Sequence, residues 1–338
     1  MSSGLARRLF KTRETPAKTD AIGHHFSKRL PYGNGEKTGE LQMKTAGVIG
    51  LGDMGSGLAK NLIKNGFETS GFDLSETRMT AFTDIGGVAK DSVGQVGRHA
   101  DSVFVMVMNG DQARDVILGE DGLVANMAKG GTVILSATIT AAEARAIGQD
   151  MEGSGIHLID TPVSGGFPGA QNGTLTMMAA AAADVLDRNA EVMQAVSATI
   201  HRVGENAGDG QTVKACLQSL IGSIFSATFE AAALAAKAGV SGQALLDVFS
   251  SSSAGCGVVN TALENIIDRK FEATGSHIAT MHKDLTISLA LAGTLGVPMH
   301  TASSAMQIFH AGKTKYPNGD NWVCTRVIEE IVGAELHR

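Results

Sequence analysis

The chain has 338 residues, enough for about two domains and a sizeable core. Its formal net charge of -6, with no basic stripe after residue 44, argues against nonspecific nucleic-acid binding. Its three cysteines, Cys216, Cys256 and Cys324, form no CxxC pair, so neither a disulfide framework nor a structural zinc is expected, and a reducing cytoplasm fits. No apolar run free of charge and glycine approaches the roughly 18 residues that span a bilayer, so no membrane partner is expected.

Residues 1–43 are polar and carry Arg7, Arg8, Lys11, Arg13, Lys18, Lys28 and Arg29 without sustained periodicity. They read as a flexible tail or a mis-assigned start, because Met43-Lys44 directly precedes the first strand. A transit peptide, implying the mitochondrial matrix, and a binding arm are alternatives; Glu14, Asp20, Glu36 and Glu40 weaken the former, since such peptides are poor in acids.

From Thr45 strand and helix signals alternate. Ala46–Gly50 reads as a buried parallel strand, followed by a helix over about Met54–Asn65. Glu68–Asp73, Val103–Met108, Thr132–Leu135 and His157–Asp160 are further strands, with helices such as Asp111–Leu118 and Ala141–Met151 between them. The alternation predicts an α/β fold: a doubly wound, mostly parallel sheet with right-handed crossovers. Leu175–Ala179 and Ile200–Val203 should add strands at its far edge. After Gly210 strand signals stop. Gln211–Ala236 reads as one long Ala-rich helix ended by Gly239, and the rest as helices broken at Gly255, Gly275, Gly296-Val297-Pro298 and Tyr316-Pro317-Asn318-Gly319. The expected division is an α/β domain over 44–206, an interdomain helix over 207–236 and an all-α domain over 237–338.

Four motifs carry chemistry. Gly50-Leu51-Gly52-Asp53-Met54-Gly55 follows a strand, opens a helix, and is followed at the end of the next strand by Asp73. That is the context of a Rossmann dinucleotide loop: Gly50 for the tight turn, Gly52 for close approach of a pyrophosphate, Gly55 for helix–strand packing. Asp73 can accept from both ribose hydroxyls and would repel a 2′-phosphate, so NAD is expected over NADP, with Arg78 as the counter-signal. Asp160-Thr161-Pro162-Val163-Ser164-Gly165-Gly166 lies at the carboxyl end of a strand, and Ser164 with the Gly165 and Gly166 amides suggests a nest for a carboxylate. The competing reading is a glycine-rich turn without a ligand.

Gly208–Lys214 opens the long helix, on which Val213, Ala215, Cys216, Leu217, Leu220 and Ile221 leave Lys214 almost surrounded by apolar residues. A lysine on a helix is normally a solvated charge; here burial would bring its proton affinity toward a useful range. Gln218, one turn on, shares its face and would bind a substrate hydroxyl or carboxylate, or hold the amine. Cys216 reads as core. The fourth motif, His282-Lys283-Asp284-Leu285, reads either as an exposed cap or as a second cation, Lys283, oriented by Asp284 near cofactor or substrate. His277 and His300 lack metal-ligand spacing and read as structural; no metal is expected.

In this order the four motifs resemble those of the β-hydroxyacid dehydrogenase family, which includes 3-hydroxyisobutyrate dehydrogenase, tartronate semialdehyde reductase and L-threonate dehydrogenase. The resemblance covers about residues 44–335. It implies a Rossmann domain, a long interdomain helix and an all-α substrate and oligomerisation domain, assembled as a homodimer or homotetramer. It implies NAD-dependent oxidation of a small 3-hydroxy acid, with Lys214 as general acid/base and Ser164, Gly165 and Gly166 at the substrate carboxylate. Gln218 and Lys283 would also face the substrate. Thr138 would contact the nicotinamide, Lys283 would sit on the cofactor side, and Met108-Asn109 would lie beside the dinucleotide. The family usually carries Asn where this chain has Gln218. That Gln and Ser253-Ala254-Gly255 look like the L-threonate dehydrogenase branch. A 3-hydroxyisobutyrate dehydrogenase and a tartronate semialdehyde reductase are the alternatives, with an imine reductase and a non-catalytic dinucleotide-binding protein more remote.

Overall fold

The computed structural model describes residues 44–338; the 1–43 segment, with its tail, transit-peptide and binding-arm readings, lies outside the described residues. Strand β1 (Thr45–Ile49) leads into α1 (Asp53–Lys64), β2 (Glu68–Phe72), α2 (Glu76–Asp84), β3 (Val88–Ala89) and α3 (Val93–His99). Then come β4 (Ser102–Val105), α4 (Gly110–Leu118), α5 (Leu123–Asn126), β5 (Thr132–Leu135), α6 (Ala141–Asp150) and β6 (His157–Asp160). The far edge consists of β7 (Val163–Ser164), α7 (Gly166–Asn172), β8 (Leu175–Ala180), α8 (Ala183–Arg188), α9 (Ala190–Gln194) and β9 (Ser197–Gly204).

These strands form one sheet in the order β3-β2-β1-β4-β5-β6-β8-β7, with β9 against β8. From β3 to β6 all pairings are parallel, while β8 meets β6 and β7 antiparallel. Short apolar runs form these strands because both faces are covered. Val48, Phe104, Ile134 and Ile159 pack on one side with Leu58 and Leu62. Their neighbours Ile49, Val103, Val133 and Leu135 pack on the other with Ile117 and Ile147. A strand buried on both faces reads as a continuous apolar run, not an alternating one.

The expected strand Val103–Met108 ends early, at Val105. Met106 still donates to Ile49 O, but its own carbonyl then lies beside Gly50, where a Cβ would stand only 2.4 Å away, and the chain turns off. Two elements leave only weak patterns in the sequence. Helix α2 buries only Phe82, and β3 is two residues long.

Beyond β9 the described chain is helical: α10 (Asp209–Lys237), α11 (Gly242–Ser251), α12 (Gly257–Ile267), α13 (Ile278–Leu295), α14 (His300–Lys315) and α15 (Cys324–Val332). By length and composition α10 is apolar enough to cross a membrane, yet half of its most apolar window is buried. It packs against α12, α13, α14 and α15 as the core helix of this half. Gly222 lets α13 approach, since a Cβ there would lie 2.7 Å from Leu285. Phe225 stacks on Phe229 at 5.8 Å and meets Trp322 edge-on at 6.0 Å. Such aromatic pairs add about 0.5–1.5 kcal/mol each beyond area burial.

Candidate active site

The glycine loop between β1 and α1 is built as its spacing suggests. Gly50 has φ +89°, a region open to glycine at little cost. A Cβ on Gly55 would stand 1.8 Å from Gly50 O, so α1 can start this close to β1 only without a side chain there. Around Gly52, by contrast, the nearest neighbour of a Cβ is the mobile end of Arg78 at 3.8 Å, which leaves that side of the loop open. No side chain caps α1 at Gly52. Its first amides therefore remain donors at the positive end of the helix dipole, the arrangement that receives a phosphate.

Asp73 follows β2 and ties the loop together. Its carboxylate accepts from Leu51 N at 2.8 Å and from Ser75 N at 2.9 Å. Arg78 Nη1 lies 3.4 Å from the same group, and its side chain is half exposed. Next to β4, Met108 is exposed, whereas Asn109 spends its side chain capping α4, accepting from Gln112 N at 2.9 Å. The Asn109 amide is therefore committed to the helix cap, and Met108 is the exposed side chain of the pair expected beside the dinucleotide.

Three successive turns of α10 present Gln211, Lys214 and Gln218, which are 1%, 6% and 6% exposed. Each meets a different part of the α/β half or of α13. Gln211 uses its whole amide: Oε1 accepts from Ile139 N at 3.1 Å, while Nε2 donates to Ala137 O at 3.0 Å and Asp160 Oδ1 at 2.9 Å. Asp160, sealed at the end of β6, also accepts from Gly208 N at 2.8 Å. Burial pushes its carboxyl up to about 6, against the pull of these hydrogen bonds. Asp160 and Gln211 thus lock the start of α10 onto the ends of β5 and β6. Both stand within the second and third motifs, but nothing in their spacing marks them as partners; a Gln one turn before Lys214 on the same helix was the available signal.

Lys214 donates to Val163 O at 2.8 Å. Burial lowers its proton affinity; the Asp284 carboxylate opposes that shift and the Lys283 ammonium adds to it. Gln218 Nε2 donates to Asp284 Oδ2 at 2.6 Å. Lys283 reaches Thr138 O at 2.6 Å and lies 3.2 Å from Asp284 Oδ1, so α13 is clasped to the loop after β5. The exposed-cap reading of Lys283-Asp284 fails, since Asp284 is 3% exposed. Cys216, expected in the core, is exposed, because the polar face of α10 is the one turned inward.

Ser164 closes β7, and Gly165 and Gly166 follow with φ +129° and +58°. The α7 turn beyond them is held to α1 by Asn61, a buried residue for which sequence reasoning found no role. Its Nδ2 donates to Ala170 O at 2.8 Å. Two clusters therefore emerge: the glycine loop with Asp73 and Arg78, and the Lys214–Gln218–Lys283–Asp284 group with Thr138 and Val163 O. Both sit where α/β sheets bind ligands, outside the carboxyl ends of the strands. One cluster offers open helix amides that can receive a phosphate, the other a buried amine whose proton affinity burial lowers.

Comparison with known proteins matches residues 45–204 to the NAD binding domain of 6-phosphogluconate dehydrogenase. Residues 208–328 match the NAD-binding region of NADP-dependent 3-hydroxyisobutyrate dehydrogenase. The chain is 31% identical over 287 residues to L-threonate dehydrogenase of Escherichia coli O6:H1, covering 84% of this chain and 95% of that one. It is 32% identical over 293 residues to L-threonate dehydrogenase of Cupriavidus necator, covering 87% and 98%. The crystal structure of 3-hydroxyisobutyrate dehydrogenase from Salmonella typhimurium superposes with a TM-score of 0.77 at 28% identity, covering 84% of this chain and 99% of that one.

Proposed function

The chain belongs to the 3-hydroxyisobutyrate dehydrogenase-like family of β-hydroxyacid dehydrogenases, and from that premise we propose that it oxidises a small 3-hydroxy acid, an L-threonate-like sugar acid first, with NAD. It is an NAD(P)-binding oxidoreductase of hydroxy acids. The observation that carries the finer reading is Lys214: a lysine 6% exposed, on the polar face of an otherwise apolar helix.

Neutral Lys214 takes the proton of the substrate hydroxyl and returns it in the reverse direction. Burial favours the neutral amine, bringing it nearer the working pH. A bound nicotinamide supplies the hydride acceptor. Ser164, Gly165 and Gly166 hold the substrate carboxylate, and Lys283, fixed by Thr138 O and Asp284, adds positive charge beside it. Gln218 faces the substrate from the same side of α10 as Lys214. Gly50, Leu51, Gly52, Asp53, Met54 and Gly55 cradle the pyrophosphate, Asp73 takes the adenosine ribose, and Met108, Asn109 and Thr138 flank the rest.

NAD is favoured because the Asp73 carboxylate opposes a 2′-phosphate; Arg78, 3.4 Å away, offsets that repulsion only in part. The expected kcat/KM is at least about tenfold higher with NAD than with NADP, measured by NADH and NADPH fluorescence. The substrate panel is L-threonate, glycerate, 3-hydroxyisobutyrate and, in the reverse direction, tartronate semialdehyde. Faster turnover with NADP, or with 3-hydroxyisobutyrate over L-threonate, rejects the corresponding part of the reading.

We also infer a homodimer or homotetramer in the reducing cytoplasm. The outer face of α10 leaves Leu220 58% and Leu234 72% exposed, side chains that a second copy would cover. A single-chain mass in sedimentation velocity at micromolar concentration rejects the assembly.

A further inference from the structure

The orientation of Gln218 is dictated from behind. Gln218 on α10 and Asp284 on α13 are both buried and joined by the 2.6 Å contact between Nε2 and Oδ2. An ionised carboxylate only accepts, so the amide must turn its NH2 group toward Asp284. Gln218 Oε1 is thereby left pointing away, and a carboxamide oxygen also only accepts. Among the described residues no donor bonds to Oε1, and it is not among the sealed, unpaired polar atoms, so this oxygen keeps some access to solvent. The other Asp284 oxygen is buried without a hydrogen-bond partner and is held by charge alone, 3.2 Å from Lys283 Nζ, which donates to Thr138 O at 2.6 Å.

We propose that Asp284 is a positioning residue that presents the Gln218 carbonyl oxygen to the substrate, making the site select acids that carry a second hydroxyl over acids that carry a methyl group. The inference rests on the hydroxy-acid reading above and deepens it. A donor-free methyl group would leave Oε1 desolvated and unpaired, whereas a hydroxyl hydrogen would satisfy it. It also rules Gln218 out as a carboxylate ligand, because two acceptors repel. The substrate carboxylate then has to be held elsewhere, by the Ser164–Gly166 segment and Lys283.

The test compares wild type with Asp284→Asn, reading the ratio of kcat/KM for L-threonate to that for 3-hydroxyisobutyrate. Asparagine offers either end of its amide, so Gln218 is released to turn. The ratio should fall at least about tenfold. A change that only loosens the fold, or only alters the proton affinity of Lys214, lowers both substrates alike and leaves the ratio unchanged, which overturns the proposal. If loss of the anion beside two lysines prevents folding, the charge-balanced pair Asp284→Asn with Lys283→Gln carries the same comparison. Should wild type oxidise neither compound, the substrate reading fails on its own, and orientation is read from the 15N–H resonances of the Gln218 side chain. Loss of their strongly hydrogen-bonded shift in Asp284→Asn supports the proposal; resonances that stay in place overturn it.

Discussion

Lys214→Ala is expected to lower turnover by roughly 10²–10⁴-fold while leaving dinucleotide affinity nearly intact. The side chain lies in the second cluster, with Val163 O, Asp284 and Lys283, away from the glycine loop that would bind the dinucleotide. Steady-state rates together with NADH fluorescence titration separate the two effects. Turnover close to wild type would place the proton exchange on another group. The same residue should trade stability for activity. Its folded proton affinity is depressed from the ordinary 10.5, chiefly by burial, so the unfolded chain binds the proton more tightly. Folding therefore gains stability as pH rises through the window between the depressed value and 10.5, and the burial penalty is fully present below it. Lys214→Met, which keeps the volume and removes the charge, should melt at a higher temperature than wild type at neutral pH. The difference should shrink as pH approaches 10. Calorimetry at the two pH values checks both; a Met variant less stable at neutral pH would show that the bond to Val163 O outweighs the buried charge.

Gly55→Ala is expected to weaken dinucleotide binding by at least about 10²-fold and to destabilise the protein by several kcal/mol, on the scale of overpacked cores. The added Cβ would lie 1.8 Å from Gly50 O, a backbone atom that cannot move aside without dragging the loop. The start of α1 would retreat and take its open amides with it. Gly293→Ala is the matched control: it sits inside α13 with nothing within 4 Å of the new Cβ. Replacing a helical glycine with alanine there should stabilise by about 0.5–1 kcal/mol. Thermal melts and fluorescence titrations of both variants decide the matter. A Gly55→Ala protein with native affinity would mean that the loop does not depend on this close approach.

The sheet was legible because the β1, β4 and β5 runs are apolar without interruption, a pattern that short strands covered on both faces must have. The glycine loop was legible because backbone geometry alone requires its residues; no side chain has to find a distant partner. Helix α2 and strand β3 escaped because they bury too little to leave a periodic signal. Cys216 was misplaced for a related reason. An apolar helix interior is normally the inward face, but α10 turns Gln211, Lys214 and Gln218 inward and leaves Cys216 and Leu220 outside.

The amino-acid sequence by itself determined the α/β-then-helical architecture, the glycine loop and the lysine set in an apolar helix, since each follows from local periodicity or from residue types within one motif. Only the tertiary structure decided the partnerships: Gln211 with Asp160 across 51 positions, Gln218 with Asp284 across 66, and Lys283 with Thr138 across 145. A hydrogen bond is specific to a few tenths of an ångström and to direction, and at such separations neither is encoded in spacing. The direction in which the Gln218 amide points, and with it the proposed preference among substrates, exists only once α10 and α13 are packed together.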